Sequence, residues 1–166
     1  MNENEQGLNA LFIKTVSENK TAMFRLTYSI VLNREDAEDI VSEAVYKAYS
    51  HLDSLKNRKK MKAWLFQILV NESKNYLKKR NQIELVEDIS SLSQEQGEDE
   101  TTYDLLEFVY KLTDNFREVV ILYYFEEFRV KEIAKILSIS EGTVKSRLSR
   151  ARSQLKEVLE NNNWKG

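Results

Sequence analysis

Residues 130–150, which read VKEIAKILSISEGTVKSRLSR, decide the fold of this chain. Apolar residues recur at helical spacing from Val130 to Leu137 and again from Glu141 to about Leu159. Ser138-Ile139-Ser140 separates the two stretches, and Ser140 has the side chain of a helix N-cap. Ala134 is small enough to let two helices cross closely. The stretch therefore predicts a helix-turn-helix unit whose second helix is the longer one.

The rest of the chain also favours helices. It has no proline and only four glycines in 166 residues, and its apolar residues recur three and four positions apart. Asn33 can cap a helix that begins with Glu35 and Asp36, and another helix is expected from about Met61 to Arg80. Thr113 can cap a helix with Phe116, Val119, Val120 and either Tyr123 or Tyr124 buried. The sequence thus predicts an all-α protein.

The net charge of −2 is distributed unevenly along the chain. Residues 1–80 carry 14 basic and 10 acidic side chains, and residues 104–166 carry 11 and 10. Residues 81–103 carry seven acidic side chains and no basic one, and their Ser/Gln/Glu-rich composition is typical of a disordered segment. We therefore expect two small helical domains, residues 1–80 and 104–166, joined by an acidic flexible linker, residues 81–103.

Composition also excludes several classes of function. The chain has no cysteine, which rules out disulfides, thiolate metal sites and thiol nucleophiles and suits a reducing cytoplasm. No glycine-rich phosphate loop, HExxH pair or Ser/His/Asp set is present, and His51 has no partner at metal-ligand spacing. The polar N-terminus and the lack of a long apolar run predict neither secretion nor membrane insertion. A cytoplasmic protein that is not an enzyme and needs no metal or cofactor is expected.

The second helix of the helix-turn-helix carries cations and hydroxyls on its outer side. Long cations suit phosphates and guanine edges, and short hydroxyls let a helix approach the floor of a DNA groove. A solvated basic face is the alternative, but the preceding helix-turn-helix pattern favours DNA. The predicted contact residues are Thr143, Lys145, Ser146, Arg147, Ser149 and Arg150, with Arg152 and Lys156 nearby.

A second basic cluster lies in the first domain, where aromatic and amide side chains alternate with cations. Stacking, edge hydrogen bonds and phosphate neutralisation are together what an unpaired base needs. Trp64 taken alone is more often a core residue, so the cluster is suggestive only as a group. Its members include Lys56, Arg58, Lys59, Lys60, Lys62, Trp64, Asn71, Lys74, Asn75, Tyr76, Lys78, Lys79 and Arg80. A separate acidic strip contains Asp36, Glu38, Asp39 and Glu43. Such strips are more often simply exposed to solvent than used for binding.

Three motifs occur in a fixed order along the chain. They are NREDAEDIVSEA at residues 33–44, AWLFQI at 63–68 followed by KNY at 74–76, and EGTVKSRLSRAR at 141–152. They resemble the core-binding, promoter-melting and recognition helices of the extracytoplasmic-function sigma factors of the sigma-70 class. The resemblance covers nearly the whole chain, and it implies a sigma-2-like helical bundle followed by a sigma-4-like helix-turn-helix domain.

The resemblance implies a factor that directs core RNA polymerase to promoters and helps to open them. Contacts to the coiled coil of the polymerase β′ subunit would come from Asp39, Ile40, Ser42, Glu43 and Val45. The −10 element would be bound by Leu55, Ile68, Asn71 and Asn75, to which the basic cluster adds Lys59, Lys60, Trp64 and Lys74. The −35 element would be bound by the outer face of the last helix, Lys145, Ser146, Ser149 and Arg150 above all. The implied partners are core polymerase with its β′ and β subunits, promoter DNA and an anti-sigma factor, which is often membrane-anchored, with the chain a monomer when bound.

Two other functions fit parts of the sequence. A dimeric helix-turn-helix regulator would bind a palindrome without polymerase, although the acidic linker and the second basic cluster speak against it. A helical adaptor that binds only protein is the other. Three positions also depart from the family pattern. Ser42 stands where glutamine is usual, Thr113 replaces a frequent proline, and Ser138 replaces a common glycine, so that the turn is strained if it needs a positive φ.

Overall fold

The computed structural model describes residues 2–83 and 100–162. Every regular element in these ranges is helical, which confirms the all-α architecture for the described residues. The chain divides into two compact units, Met1–Ile89 and Ser90–Gly166. Residues 84–99, which make up most of the predicted acidic linker, lie outside the described ranges, so the conformation of the linker stays a prediction.

Four helices form the first unit: α1 (Glu3–Glu18), α2 (Lys20–Val31), α3 (Arg34–Ser50) and α4 (Met61–Ile83). Helices α2, α3 and α4 pack against one another, and α1 packs against α4. The buried side of α3 is lined by fully buried alanines, and small side chains allow helix axes to approach closely. Larger side chains of α2 and α4 fill the core of the unit. The alanines are Ala37, Ala44 and Ala48, and the larger residues include Met23, Leu26, Leu65, Phe66 and Leu69.

The ends of α3 determine where the basic loop of the first unit, residues 56–60, lies. Asn33 caps the helix as predicted, because its Oδ1 accepts a hydrogen bond from the backbone N–H of Asp36 at 3.0 Å. After α3 the chain forms two 3₁₀ turns, Leu52–Ser54 and Arg58–Lys60, and then enters α4. The side chain of Asn57 caps the second turn by accepting from the N–H of Lys59 at 3.0 Å. The lysines of the loop are thereby held beside the start of α4.

The second unit contains α5 (Glu100–Tyr110), α6 (Asp114–Val120), a π-helical turn (Ile121–Phe125), α7 (Val130–Leu137) and α8 (Glu141–Asn161). Helices α5, α6 and α7 all pack against α8. Thr113 precedes α6 as predicted, but its side chain does not cap the helix. Its backbone N–H instead donates to Oε1 of Gln154 on α8 at 3.1 Å, which ties the start of α6 to α8.

The π-helical turn changes which residues after α6 are buried. The prediction that Tyr123 or Tyr124 enters the core is wrong, because their exposed fractions are 37% and 49%. Ile121 and Leu122 are fully buried in their place. The backbone N–H of Glu126 donates to the carbonyl of Ile121, five residues back, at 3.0 Å. This wider turn takes in one residue more than an α-turn and so shifts the apolar side away from the 3.6-residue period.

The helix-turn-helix is confirmed at the predicted residues. Ser138 ends α7 with φ 56° and ψ 46°, so the turn does require the left-handed conformation that glycine adopts more easily. The N–H of Ile139 donates to the carbonyl of Ala134 at 3.0 Å, and Oγ of Ser140 accepts from the N–H of Thr143 at 3.1 Å. Both helix ends at the turn are therefore satisfied by hydrogen bonds.

Candidate functional site

The acidic face of α3 is exposed in the first unit. Asp39, Ser42 and Glu43 are all exposed, and their spacing of three and four residues places them on one side of the helix. Val45 is half-buried. Ile40, also predicted to contact polymerase, is only 6% exposed and belongs to the core. An apolar side chain at this point of α3 is required for packing on the helices behind it, which leaves little of it to a partner.

A groove with a volume of about 340 Å³ lies between the end of α3 and the first half of α4. Three predicted −10 residues, Trp64, Ile68 and Asn71, line it together from α4. Trp64 is half-buried rather than a core residue, and it lines the groove. An aromatic, an apolar and an amide side chain in one concave site can stack against a flat ring and bond its edge. The other lining residues are Lys47, His51, Ser54 and Glu72.

An ion pair neutralises the only acid of the basic cluster. Nζ of Lys47 lies 2.8 Å from Oε1 of Glu72, and this hydrogen bond raises the pKa of the Lys47 ammonium, although partial desolvation acts in the opposite direction. The side chain of Glu72 is 18% exposed, so its charge is turned toward Lys47 and away from solvent. The rim of the groove therefore does not present an unpaired carboxylate to an approaching phosphate.

The other predicted −10 residues are not among those that line the groove. Lys59, Lys60, Lys74 and Asn75 are exposed, and Leu55 is half-buried. Arg58 is bound to α1, because its Nη2 donates to the backbone carbonyl and the side-chain oxygen of Asn4. Arg58 thus fixes the loop to α1, and the exposed lysines lie where a nucleic-acid backbone can reach them.

Helix α8 presents one exposed side opposite its buried one. Val144, Leu148 and Ala151 face the core of the second unit. The predicted DNA-binding residues occupy the remaining surface: Lys145, Ser146, Ser149 and Arg150 are exposed, and Thr143 and Arg147 are half-buried. Small side chains along the outermost line of the helix, with cations on either side, produce a convex ridge that a DNA major groove can admit.

Each of the two units matches a region of one protein family. Residues 15–83 match the family described as Sigma-70 region 2, and residues 104–155 match the family described as Sigma-70, region 4. The RNA polymerase sigma factor SigV of Bacillus subtilis (strain 168) is 34% identical over 149 residues, which cover 89% of this chain and 90% of SigV. The ECF RNA polymerase sigma factor SigM of the same strain is 35% identical over 143 residues, covering 82% of this chain and 87% of SigM. This chain is an extracytoplasmic-function sigma factor.

Solved structures show the same fold for the sigma factor. The sigma factor RpoE from Bartonella quintana, in complex with the anti-sigma factor NepR, aligns with a TM-score of 0.72 and 28% identity over 96% of this chain and 98% of RpoE. CnrH, in complex with the cytosolic domain of CnrY, aligns with a TM-score of 0.64 at 23% identity and shares the fold. The resemblance indicated by the three motifs is therefore confirmed, and a regulator that acts without core polymerase is not favoured.

Sequence reasoning missed two exposed aromatic residues of the sigma factor. Tyr46 and Tyr49 on α3 are 68% and 53% exposed. Tyr46 follows Glu43 by three residues and so continues the acidic face, while the ring of Tyr49 lies 5.8 Å from that of Phe12 on α1. The helical spacing from Asp39 was a usable signal for Tyr46. Exposed tyrosines beside a charged face are typical of protein-binding surfaces.

Sequence reasoning also missed the part of the groove that α3 and the first 3₁₀ turn supply. Lys47, His51 and Ser54 line it, yet no local pattern connects them with Trp64. Their proximity depends on how α3 and α4 pack. In the described parts of the sigma factor, no group of three or more acidic, histidine or cysteine side chains is arranged to hold a metal ion. No helix within those parts combines the length and hydropathy needed to cross a membrane.

Proposed function

We propose that this sigma factor joins core RNA polymerase through the outer face of α3, reads the −35 element with α8 and captures an unpaired −10 base in the groove beside α4. The groove carries the proposal, because it brings Trp64, Ile68 and Asn71 together in a site of suitable size and chemistry for one base. In this scheme residues 1–80 and 104–166 act as separate functional domains, and residues 81–103 connect them.

The proposed polymerase contact consists of Asp39, Ser42 and Glu43, extended by Tyr46 and edged by Val45. Two exposed carboxylates on one helix face suit a basic partner surface, and an exposed tyrosine supplies contact area at a small entropic cost. The coiled coil of the β′ subunit is the proposed partner of this face, with the β subunit contacting the factor elsewhere. Ile40 supports the face from within the core.

The two promoter contacts divide the work of recognition. The ridge of α8 enters the major groove, where Arg150 and Lys145 can reach base edges or phosphates. The groove of the first unit then holds a base that has left the duplex, which offsets the few kcal/mol of unstacking and favours strand opening. Lys59, Lys60, Lys74 and Asn75 hold the adjacent backbone. The factor itself is not catalytic, and the phosphodiester chemistry belongs to the polymerase.

An anti-sigma factor is the proposed regulator. The described structural relative RpoE was solved with the anti-sigma factor NepR, and CnrH was solved with the cytosolic domain of CnrY. We infer that this sigma factor is likewise held as a monomer in the cytoplasm by an anti-sigma partner, which is membrane-anchored. Co-expression of this sigma factor with a candidate membrane-anchored anti-sigma factor, followed by affinity purification, tests whether the two proteins form a complex.

The division of labour is tested with two substitutions in the holoenzyme. Arg150→Ala should weaken closed-complex formation by about 1–3 kcal/mol if the guanidinium reads a base edge, and a pre-opened bubble should rescue it only in part. Asn71→Ala should spare most initial duplex binding, lower permanganate reactivity of unpaired thymines, and regain transcription on a bubble template. Equal loss of duplex binding in both variants, or no rescue of Asn71→Ala, contradicts the division.

The polymerase face is tested by charge reversal. Asp39→Lys and Glu43→Lys should each weaken binding to core polymerase, because like charges brought together across an interface can cost several kcal/mol. Glu18→Lys, a reversal of an exposed carboxylate on α1, is the matched control and should bind core normally. If the α3 variants bind core as tightly as this control does, α3 is not the contact.

A further inference from the structure

Arg58 links the basic loop, residues 56–60, to the first turns of α1. Its Nη2 donates to the backbone carbonyl of Asn4 at 2.8 Å and also to the side-chain oxygen of Asn4. A Cβ placed on Gly7 would lie 3.5 Å from Nη1 of the same guanidinium. The guanidinium therefore lies against the surface of α1, next to a position that has no side chain.

The contact is not needed to stabilise the start of α1. That end is already closed by a capping box, in which Oδ1 of Asn2 accepts from the N–H of Glu5 at 2.8 Å and Oε2 of Glu5 accepts from the N–H of Asn2 at 3.1 Å. The N-terminal end of a helix carries partial positive charge, so a cation beside it is unfavourable for the helix. The structural gain from the Arg58 contact therefore falls to the loop.

The basic loop needs such an anchor because its own structure is short. The 3₁₀ turn Arg58–Lys60 is held locally by Asn57, whose side chain accepts from the N–H of Lys59 and whose carbonyl accepts from the N–H of Lys60, both at 3.0 Å. The side chains of Lys59 and Lys60 are exposed and form no hydrogen bond or ion pair with the described residues. Arg58 is thus the side chain of this turn that fixes its orientation on the rest of the unit.

We propose that Arg58 is a positioning residue for promoter binding, and that α1 is the support against which it holds the basic loop so that Lys59 and Lys60 meet phosphates of the unpaired strand. A fixed turn keeps both ammonium groups at one spacing, whereas a loose loop loses conformational entropy for each phosphate that it binds. The proposal, which rests on the proposed contact between these lysines and the DNA backbone, makes Asn4 of α1 a determinant of promoter affinity.

The test measures binding of the holoenzyme to promoter DNA with an unpaired −10 strand at several salt concentrations. Each phosphate contact to a single strand contributes about 0.7 to the slope of log K against log salt concentration. Asn4→Leu removes the side-chain acceptor but no charge, and it should make the slope shallower by about 0.7 to 1.4, the loss of one or two contacts. Asn4→Asp keeps an acceptor for the guanidinium and should retain the natural slope.

Gly7→Ala is the matched control for the stability of α1. Alanine is the better helix former, and its Cβ fits beside the Arg58 guanidinium at 3.5 Å, so the melting temperature should rise while the salt slope stays natural. A slope that follows the melting temperature in both Gly7→Ala and Asn4→Leu would mean that α1 acts only through its stability, and this overturns the positioning role.

Three further results separate the possible failures. A natural slope in Asn4→Leu overturns the proposal. A shallower slope in Arg58→Met with a natural slope in Asn4→Leu would mean that Arg58 binds a phosphate directly, which also overturns it. If Lys59→Ala and Lys60→Ala both leave the slope unchanged, the proposed contact of these lysines with the DNA backbone is itself wrong.

Discussion

The first unit has a groove assembled from α3, a 3₁₀ turn and α4, whereas the second presents the exposed side of a single helix, α8. The groove is concave and partly apolar, with a volume of about 340 Å³. The ridge of α8 is convex, polar and rich in cations. A convex helix complements the major groove of a closed duplex, and a concave pocket complements a base that has left it. The two surfaces depend on different levels of structure. The ridge requires only that α8 be helical, whereas the groove requires that α3 and α4 pack correctly.

The largest effects are expected when the core of each unit is destabilised separately by a substitution. Leu65 and Leu122 are fully buried in the first and second units. Leu65→Ala should lower the free energy of unfolding of the first unit by about 2–5 kcal/mol, and Leu122→Ala should do the same to the second. Urea unfolding followed by circular dichroism should show one transition shifted in each variant. A shift of both transitions in both variants would mean that the units unfold together.

A smaller effect is expected from the groove wall. Trp64→Ala removes a stacking surface that is worth about 1–3 kcal/mol per base, so strand opening should decrease while binding to a −35 duplex remains. Trp64→Phe keeps an aromatic ring and should restore most of the opening. Stopped-flow fluorescence of 2-aminopurine in the −10 element measures the step. Equal opening by Trp64→Ala and the natural factor places the base elsewhere.

The ridge should be less sensitive to substitution, because α8 is a regular helix that depends mainly on its N-terminal cap. Ser140→Ala removes the side-chain acceptor for the Thr143 N–H and should destabilise the second unit by about 0.5–2 kcal/mol. Ser140→Thr, which keeps the hydroxyl, is the control. Thermal unfolding measures the loss, and the first unit should melt unchanged. An unaltered melt in Ser140→Ala would show that the cap contributes nothing to the second unit.

The smallest effect is expected from relieving backbone strain, which occurs at a helix end in each unit. Leu32 at the end of α2 and Ser138 at the end of α7 both have left-handed backbone, with φ values of 53° and 56°. Ser138→Gly should stabilise the second unit by about 0.5–1 kcal/mol, because glycine adopts this conformation without steric cost. Leu32→Gly should gain less, since it also removes a half-buried apolar side chain. Urea titrations of both variants decide whether Ser138→Gly has the larger gain.

Helical periodicity was enough to predict the exposed ridge of α8 and most helix boundaries. The caps Asn33 and Ser140 and the strained turn at Ser138 could be predicted because each depends on a few neighbouring residues. The position of Tyr124 could not be predicted. The π-helical turn that exposes it packs against α7, and no residue type in the sequence predicts such a turn.

The sequence by itself determined that the chain is helical, which side of α8 is exposed, and that a strip of acidic side chains lies on α3 while clusters of basic ones lie before and along α4 and on α8. Only the tertiary structure decided that His51 and Lys47 join Trp64 in one groove, that Glu72 is neutralised by Lys47, and that Ile40 is withdrawn into the core. The physical reason is that the 3.6-residue period fixes the angle of each side chain around its own helix axis. It does not fix which neighbouring helix lies against that side, and this depends on the packing of the whole unit.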